Sequence, residues 1–322
     1  MPDRRVVIHT VFLLLLPLIV AAFGMSLSTA LLLVIIALAW RWAIVLLGLT
    51  RPPRGPELVL ESISASHFVE KVRWCLDRLG LEYDEEHCGG TLGAFYTGRT
   101  VPRLSFRTGL VRSTIGNSPE ILRYLWGAYS GTHGESAGFL EPTPERLTLE
   151  SRFDRYGRSL QVWVYYHVLG DHELCKHLWG TNNPATPAWQ RQLIRMLYPV
   201  QAFMISKTFR TTTEHYQKSC EHIEALLAEM DERLADGRRS ILGDDEINYT
   251  DLAFAAMSGL WLMPGEYGAG AADGVRVEQE RLPQAMRDDI DRWVADYPHA
   301  VGFVRRLYAE ERQPTPTGGA EE

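Results

Sequence analysis

Glu57-Leu58-Val59-Leu60-Glu61-Ser62-Ile63-Ser64-Ala65-Ser66-His67-Phe68-Val69-Glu70-Lys71-Val72-Arg73-Trp74-Cys75-Leu76-Asp77-Arg78-Leu79-Gly80 opens with a short apolar run of strand type. It passes through the mostly polar Ser62 to Ser66 into a helical pattern. Phe68, Val72, Cys75, Leu76 and Leu79 recur at the spacing of one helix face, and Gly80 stops the helix. Strand, loop, helix is the opening of an α/β unit. Leu81 to His87 reads as a second strand, Pro102 to Phe106 as a third and Leu110 to Ser113 as a fourth, with Arg107-Thr108-Gly109 as a hairpin turn. A helix over Pro119 to Tyr129, its inner side Ile121, Leu122, Leu125 and Trp126, completes a domain over residues 57–130.

After Thr143 the pattern turns helical and stays so. Helices are expected over Leu147 to Leu169, Pro187 to Lys207, Thr213 to Ala235, Tyr249 to Met263, Pro283 to Ala295 and Pro298 to Glu311, which makes residues 143–311 an all-helical domain. Gly265-Glu266-Tyr267-Gly268-Ala269-Gly270 lacks the preceding strand that a dinucleotide fingerprint requires and reads as a loop. Residues 312–322, rich in Pro, Gly, Thr and Glu, cannot bury enough apolar surface to order themselves. Arg51-Pro52-Pro53-Arg54-Gly55-Pro56 reads as an extended linker.

Residues 1–50 hold two apolar runs, Val6 to Phe23 and Leu27 to Leu49, around Gly24-Met25-Ser26. A spanning helix needs about 20 apolar residues, so the pair is expected to form a transmembrane helical hairpin. Arg4, Arg5, Arg51 and Arg54 flank it, and arginine excess marks the cytoplasmic side. The expected location is therefore a multi-pass membrane protein with two spans, the bilayer as a partner and the later domains facing the cytoplasm. A cleaved signal peptide is the other reading of the first run. Arg41, between Trp40 and Trp42, suits an interfacial depth better than the bilayer centre.

The net charge is −7 over 322 residues, and residues 1–50 carry Arg4, Arg5 and Arg41 against Asp3, so the rest is more acidic still. That balance argues against nucleic acid as a partner. Cys75, Cys88, Cys175 and Cys220 form no CxxC and no close cluster, against both a zinc site and a disulfide framework. His172, Cys175 and His177 have a spacing that matches no common metal site, so no metal is expected.

Three local motifs resemble the glutathione S-transferase superfamily, and specifically its serine-type members. Ser66-His67-Phe68-Val69-Glu70-Lys71-Val72-Arg73, with Leu76 and Gly80-Leu81-Glu82-Tyr83, is similar to the family's first loop and helix. Thr100-Val101-Pro102-Arg103-Leu104 resembles its cis-proline segment. Ile115-Gly116-Asn117-Ser118-Pro119-Glu120-Ile121-Leu122-Arg123-Tyr124-Leu125 resembles the acidic-or-amide plus serine motif that opens a helix. The resemblance covers about residues 57 to 310 and implies a thioredoxin-like α/β domain, binding glutathione, followed by an all-α domain.

The resemblance places Ser66 where serine-type members carry the hydroxyl that stabilises the glutathione thiolate, the expected catalytic residue. A helix N-terminus carries about half a positive charge, and a hydroxyl donor beside it favours an ionised thiol. Ser66, or Ser64, as a plain N-cap explains the same residues. Val101 and Pro102, through a cis bond, and Asn117 and Ser118, at the γ-glutamyl end, are the substrate-binding residues that the resemblance implies. Ser118 as N-cap with Pro119 at N1 is the structural alternative. Asn117 is shorter than the family's usual Glu or Gln, and the span from Cys88 to Thr100 is shorter than the family's helix-bearing segment, leaving the glycyl end unassigned.

Asn248-Tyr249-Thr250-Asp251 resembles the family's capping box, with Ile247 and Leu252 as hydrophobic staple. Trp163, Tyr165, Tyr166 and His167 form an aromatic patch that is either core or the lining of an electrophile pocket. The implied activity is conjugation of glutathione, as co-substrate, to a hydrophobic small-molecule electrophile, with a homodimer as a candidate assembly. The alternative is a membrane-tethered interaction module that keeps the fold without efficient catalysis. The absence of a cysteine at position 66 disfavours thiol–disulfide exchange.

Overall fold

A computed structural model of the chain describes residues 15, 24, 26–50, 58–90, 101–108 and 111–312. Two compact units make it up, residues 1–59 with 104–115 and residues 60–103 with 116–322.

The first unit contains helix α1, Leu27–Thr50, which begins where Ser26 O accepts from Thr29 N and Ala30 N. Leu31, Leu32, Ile35, Ile36, Leu38, Trp40, Trp42 and Leu46 are exposed along it. The helix forms where the second apolar run lies, but among the described residues no helix is long and apolar enough to cross a membrane. The physical reason is Arg41. The uninterrupted apolar run lies between Ser28-Thr29 and Arg41, Ala30 to Trp40, about 11 residues and roughly 17 Å of helix, short of the roughly 30 Å hydrocarbon core. This overturns the expected multi-pass membrane location, and the hairpin and its cytoplasm-facing orientation lose their footing with it. The run Val6 to Phe23 lies outside the described residues apart from Leu15, as do the linker 51–56 and residues 313–322.

Four strands form one sheet in the order β2-β1-β3-β4: β1 Leu58–Ser62, β2 Tyr83–His87, β3 Arg103–Thr108 and β4 Val111–Gly116. Helix α2, His67–Arg78, follows β1, and α3, Ser118–His133, follows β4. β-α-β then β-β-α with β1 in the sheet interior is the thioredoxin-like arrangement. β1 is buried at every position, which explains its continuous apolar run. β2 alternates half-buried and exposed residues, as an edge strand does.

The second unit continues through a 3₁₀ turn, Gly134–Leu140, into α4 Pro144–Val168, α5 His172–Leu178, α6 Ala188–Phe209, α7 Thr213–Leu234, α8 Tyr249–Leu262, α9 Gln284–Asp296 and α10 Pro298–Glu311. α4 starts three residues before the expected Leu147, because Thr143 Oγ1 accepts from Arg146 N at 3.3 Å and Pro144 opens the first turn. α5 was not anticipated; Asp171 caps it, accepting from Leu174 N at 3.0 Å. Its seven residues are too few for a clear period.

α8 is the hub, buried along nearly its whole length and packed on α2, α4 and α10. Its start is fixed by the Asn248–Asp251 capping box, in which Asp251 accepts from Asn248 N at 2.8 Å, and Ile247 and Leu252 are both buried beside it. Asp251 also accepts from Ile241 N at 2.8 Å. Burial pushes its carboxyl up to about 6.

Candidate functional site

Ser66 takes an extended conformation, φ −78° and ψ 119°, and caps α2 by accepting from Val69 N at 3.4 Å. In that bond the hydroxyl oxygen is only an acceptor, so its O–H remains to donate. Three partners fix the loop that presents it. Ser64 Oγ accepts from Asn183 Nδ2 at 2.9 Å and passes its own proton toward His87 Nδ1 at 3.0 Å, while Ala65 O accepts from the Tyr267 hydroxyl at 3.1 Å. Burial lowers the His87 pKa, in keeping with an imidazole that accepts from a hydroxyl.

Ser66 borders a solvent-open cleft of about 200 Å³. Ile63, Ala65, His67, Cys88, Gly90 and Val101 share its wall, and the helical side supplies Gln161, Val164, Tyr165, Val168, Leu178, Trp179, Ile205, Phe209 and Leu260. No Lys or Arg is among these lining residues. Among the described residues, then, the hydroxyl and the α2 N-terminus are what an anion at Ser66 would meet. Gly90, at φ +37°, lets the chain pass Trp179: a Cβ there would meet Trp179 Cβ at 2.7 Å. A second, apolar cavity of about 50 Å³ shares Ala65, Val164, Leu178 and Leu260 with the cleft and extends to Trp261, Tyr267 and Met286.

The Val101–Pro102 bond is cis. Val101 lines the cleft with Ser66, whereas Pro102 is buried and its carbonyl accepts from Asn117 N at 3.2 Å. Asn117 and Ser118 are not among the cleft-lining residues. The helix start also differs from the expected one: Asn117, exposed and without a side-chain cap bond, is the N-cap, and Ser118 is the first residue of α3. Asn117 sits at φ +70° and ψ 133°, a region that costs a non-glycine residue about 1–3 kcal/mol. Turning the chain there points Ser118 inward, where its hydroxyl is buried with no hydrogen-bond partner among the described residues.

His67, which sequence reasoning passed over, sits beside Ser66 in the cleft wall and donates from Nε2 to Gly157 O at 3.0 Å. Gly157 is what permits this approach, since a Cβ there would meet Met257 Sδ at 2.6 Å and His67 Nε2 at 3.1 Å. Burial lowers the His67 pKa to about 4, with the Gly157 bond opposing in part. A histidine depressed in the fold stays neutral while the unfolded chain takes a proton, so its contribution is complete above pH 6.5 and is lost as pH falls toward 4. His67→Gln keeps an N–H for Gly157 and removes the titration. We expect the variant's loss of stability between pH 6.5 and 5 to be about 2 kcal/mol smaller than the wild type's, measured by urea unfolding.

The aromatic patch divides. Trp163 is core against Trp293, Tyr166 stacks on Tyr216 with centroids 4.1 Å apart, and His167 lies 3.5 Å from Asp289. Only Tyr165 reaches the cleft, where its ring meets Phe209 at 4.9 Å. His172, Cys175 and His177 also part company: His172 packs on Tyr198, Cys175 is buried, and His177 Nε2 donates to Arg276 O at 3.0 Å. Among the described residues no group of His, Cys, Asp and Glu could hold a metal ion.

No protein-family model and no curated protein matches this chain. Among solved structures it is similar to a glutathione S-transferase from Methylobacterium radiotolerans in complex with glutathione sulfonate, at 16% identity and a TM-score of 0.47 over 82% of this chain and 99% of that one. It is similar to the glutathione transferase GSTFuA3 from Phanerochaete chrysosporium at 16% identity, TM-score 0.49, over 79% and 96%. FzlA from C. crescentus is similar at 12% identity, TM-score 0.42, over 79% and 89%.

Proposed function

We propose that this chain binds glutathione with its sulfur at the start of α2 and conjugates it to an apolar electrophile held in the adjoining cleft. The observation that carries this reading is Ser66, whose hydroxyl keeps its proton free at a helix N-terminus facing a mostly apolar, partly aromatic wall. The thiol gives up its proton to water in the solvent-open cleft, the Ser66 O–H and the α2 dipole hold the thiolate, and a sulfur lone pair forms the bond to the electrophilic carbon. The leaving group departs with its bonding pair or, in an addition, the neighbouring carbon takes a proton from solvent. Tyr165, Val164, Val168 and Phe209 offer the apolar contacts for the electrophile.

Ser118 serves the γ-glutamyl end in this reading, its buried and unpartnered hydroxyl being satisfied by the ligand. Ser118→Ala is then expected to weaken glutathione binding by about 1–2 kcal/mol while leaving stability unchanged or slightly raised, because a buried hydroxyl without a partner costs free energy. Titration calorimetry measures the first effect and thermal unfolding the second. The rival reading, an interaction module on the same fold, is favoured by one observation, that Asn117 and Ser118 lie outside the cleft lining. A folded wild type that gives no heat with millimolar glutathione selects the rival.

A further inference from the structure

α6 is apolar on two opposite faces. Ile194, Tyr198 and Ile205 are buried on one, while Trp189, Met196, Val200 and Phe203 stand 57–67% exposed on the other. A surface helix packed on one side presents polar residues on the other. Here the outer positions follow one another at helical spacing, so they form a single seam about 21 Å long. Trp, Phe and Met are the apolar residues enriched at protein interfaces.

The charge around this seam is out of keeping with the chain. Between Glu173 and Glu214 there is no Asp or Glu, whereas Lys176, Arg191, Arg195, Lys207 and Arg210 all occur. At the frequency of 40 acids in 322 residues the same stretch would hold about five. Among the described residues, Arg191, Arg195, Lys207 and Arg210 make no ion pair: Arg195 donates to Thr181 O and Lys207 lies over the Phe203 ring. Lys207 and Arg210 complement the carbonyl end of α6. Arg191 is half-buried and lies about 200° round the helix from Trp189, but the exposed Arg195 sits in the body of the helix, away from either end. The helix dipole therefore does not account for the whole set.

We propose that the outer face of α6 docks an acidic amphipathic helix of another protein, its apolar seam on Trp189, Met196, Val200 and Phe203 and its flanking carboxylates on the exposed Arg195, Lys207 and Arg210. A second copy of this chain using the same face would set these cations against each other, so self-pairing is disfavoured by the charge that favours an acidic partner. None of the seam residues borders the cleft, so docking leaves the proposed transferase site open.

The test uses the full chain and a fluorescein-labelled synthetic helix with leucines at i, i+3, i+4 and i+7 and glutamates on both flanks. A twin carrying lysine in place of glutamate, and vesicles of phosphatidylcholine with phosphatidylserine, are the controls. By anisotropy the glutamate peptide is expected to bind about tenfold or more tightly than its twin, and to weaken as salt is raised. The double substitution Met196→Ser and Phe203→Ser, or separately Lys207→Glu with Arg210→Glu, is expected to weaken it about tenfold with the melting temperature unchanged. Equal binding of the two peptides, no binding of either, or unchanged binding by both double variants overturns the proposal. So does self-association that Met196→Ser and Phe203→Ser abolish, or binding of the vesicles without the glutamate peptide.

Discussion

Ser66→Ala is expected to lower kcat/KM for conjugation of glutathione to an aryl halide about 100-fold, with glutathione affinity changed far less. Removing one preorganised donor from a developing or resting anion has an effect of this size. The donor is identifiable because Ser66 Oγ uses a lone pair, not its proton, to cap Val69 N, and among the described residues no cationic side chain lines the cleft. A factor of 100 corresponds to about two pKa units on the bound thiol. The variant's rate should therefore still be rising with pH where the wild type's has levelled. The lost cap also costs about 1 kcal/mol of stability, which a melting curve separates from the kinetic loss. Wild type and Ser66→Ala with the same rates and the same pH profile would refute the role, and the N-cap would be all that Ser66 does.

The parts of this fold that could be read from the sequence are those whose cause is local. α10, Pro298–Glu311, was read to the residue because a proline opens it, and the Asn248–Asp251 box was read because both partners lie within four positions. Ser66 at the head of α2 was legible for the same reason. The loop's support was not: Ser64 meets Asn183 and His87, and Ala65 meets Tyr267, at separations of 119, 23 and 202 residues. Asn117 against Ser118 as the cap could not be decided from composition, since both residue types cap helices and only the φ of +70° tells them apart. The second N-terminal apolar run misled because Arg41 cuts the α1 run below a spanning length.

Glu70→Gln is expected to destabilise the protein by about 3–5 kcal/mol at pH 7, the cost of removing one partner from a buried ion network. Glu70 is fully buried at the start of α2 and accepts from Arg73 Nη1 at 2.8 Å and from Arg312 Nε at 2.8 Å. Arg73 also holds Glu85 through two bonds, and Arg312 holds Asp77 at 2.6 Å, so the network ties α2 to β2 and to the residue that ends α10. The substitution keeps the side chain's shape and leaves the two guanidinium groups facing each other without the intervening charge. Burial alone would raise the Glu70 pKa, but Arg312 and Arg73 more than offset it and hold the carboxyl below its ordinary value of 4.5. A carboxyl depressed in the fold contributes stability above its unfolded pKa and loses it as pH falls through the folded value. The gap between wild type and Glu70→Gln should accordingly be full at pH 7 and narrow only below the usual carboxylate range. Burial raises the Asp77 pKa and the Glu70 charge adds to that rise, so Asp77 titrates in the opposite sense and less strongly in Glu70→Gln. Urea midpoints of the two proteins at pH 7 and in acid measure this directly. A gap under about 1 kcal/mol at neutral pH would mean that Glu85 and Asp77 suffice to neutralise the two arginines and that Glu70 contributes little to the hold on α2.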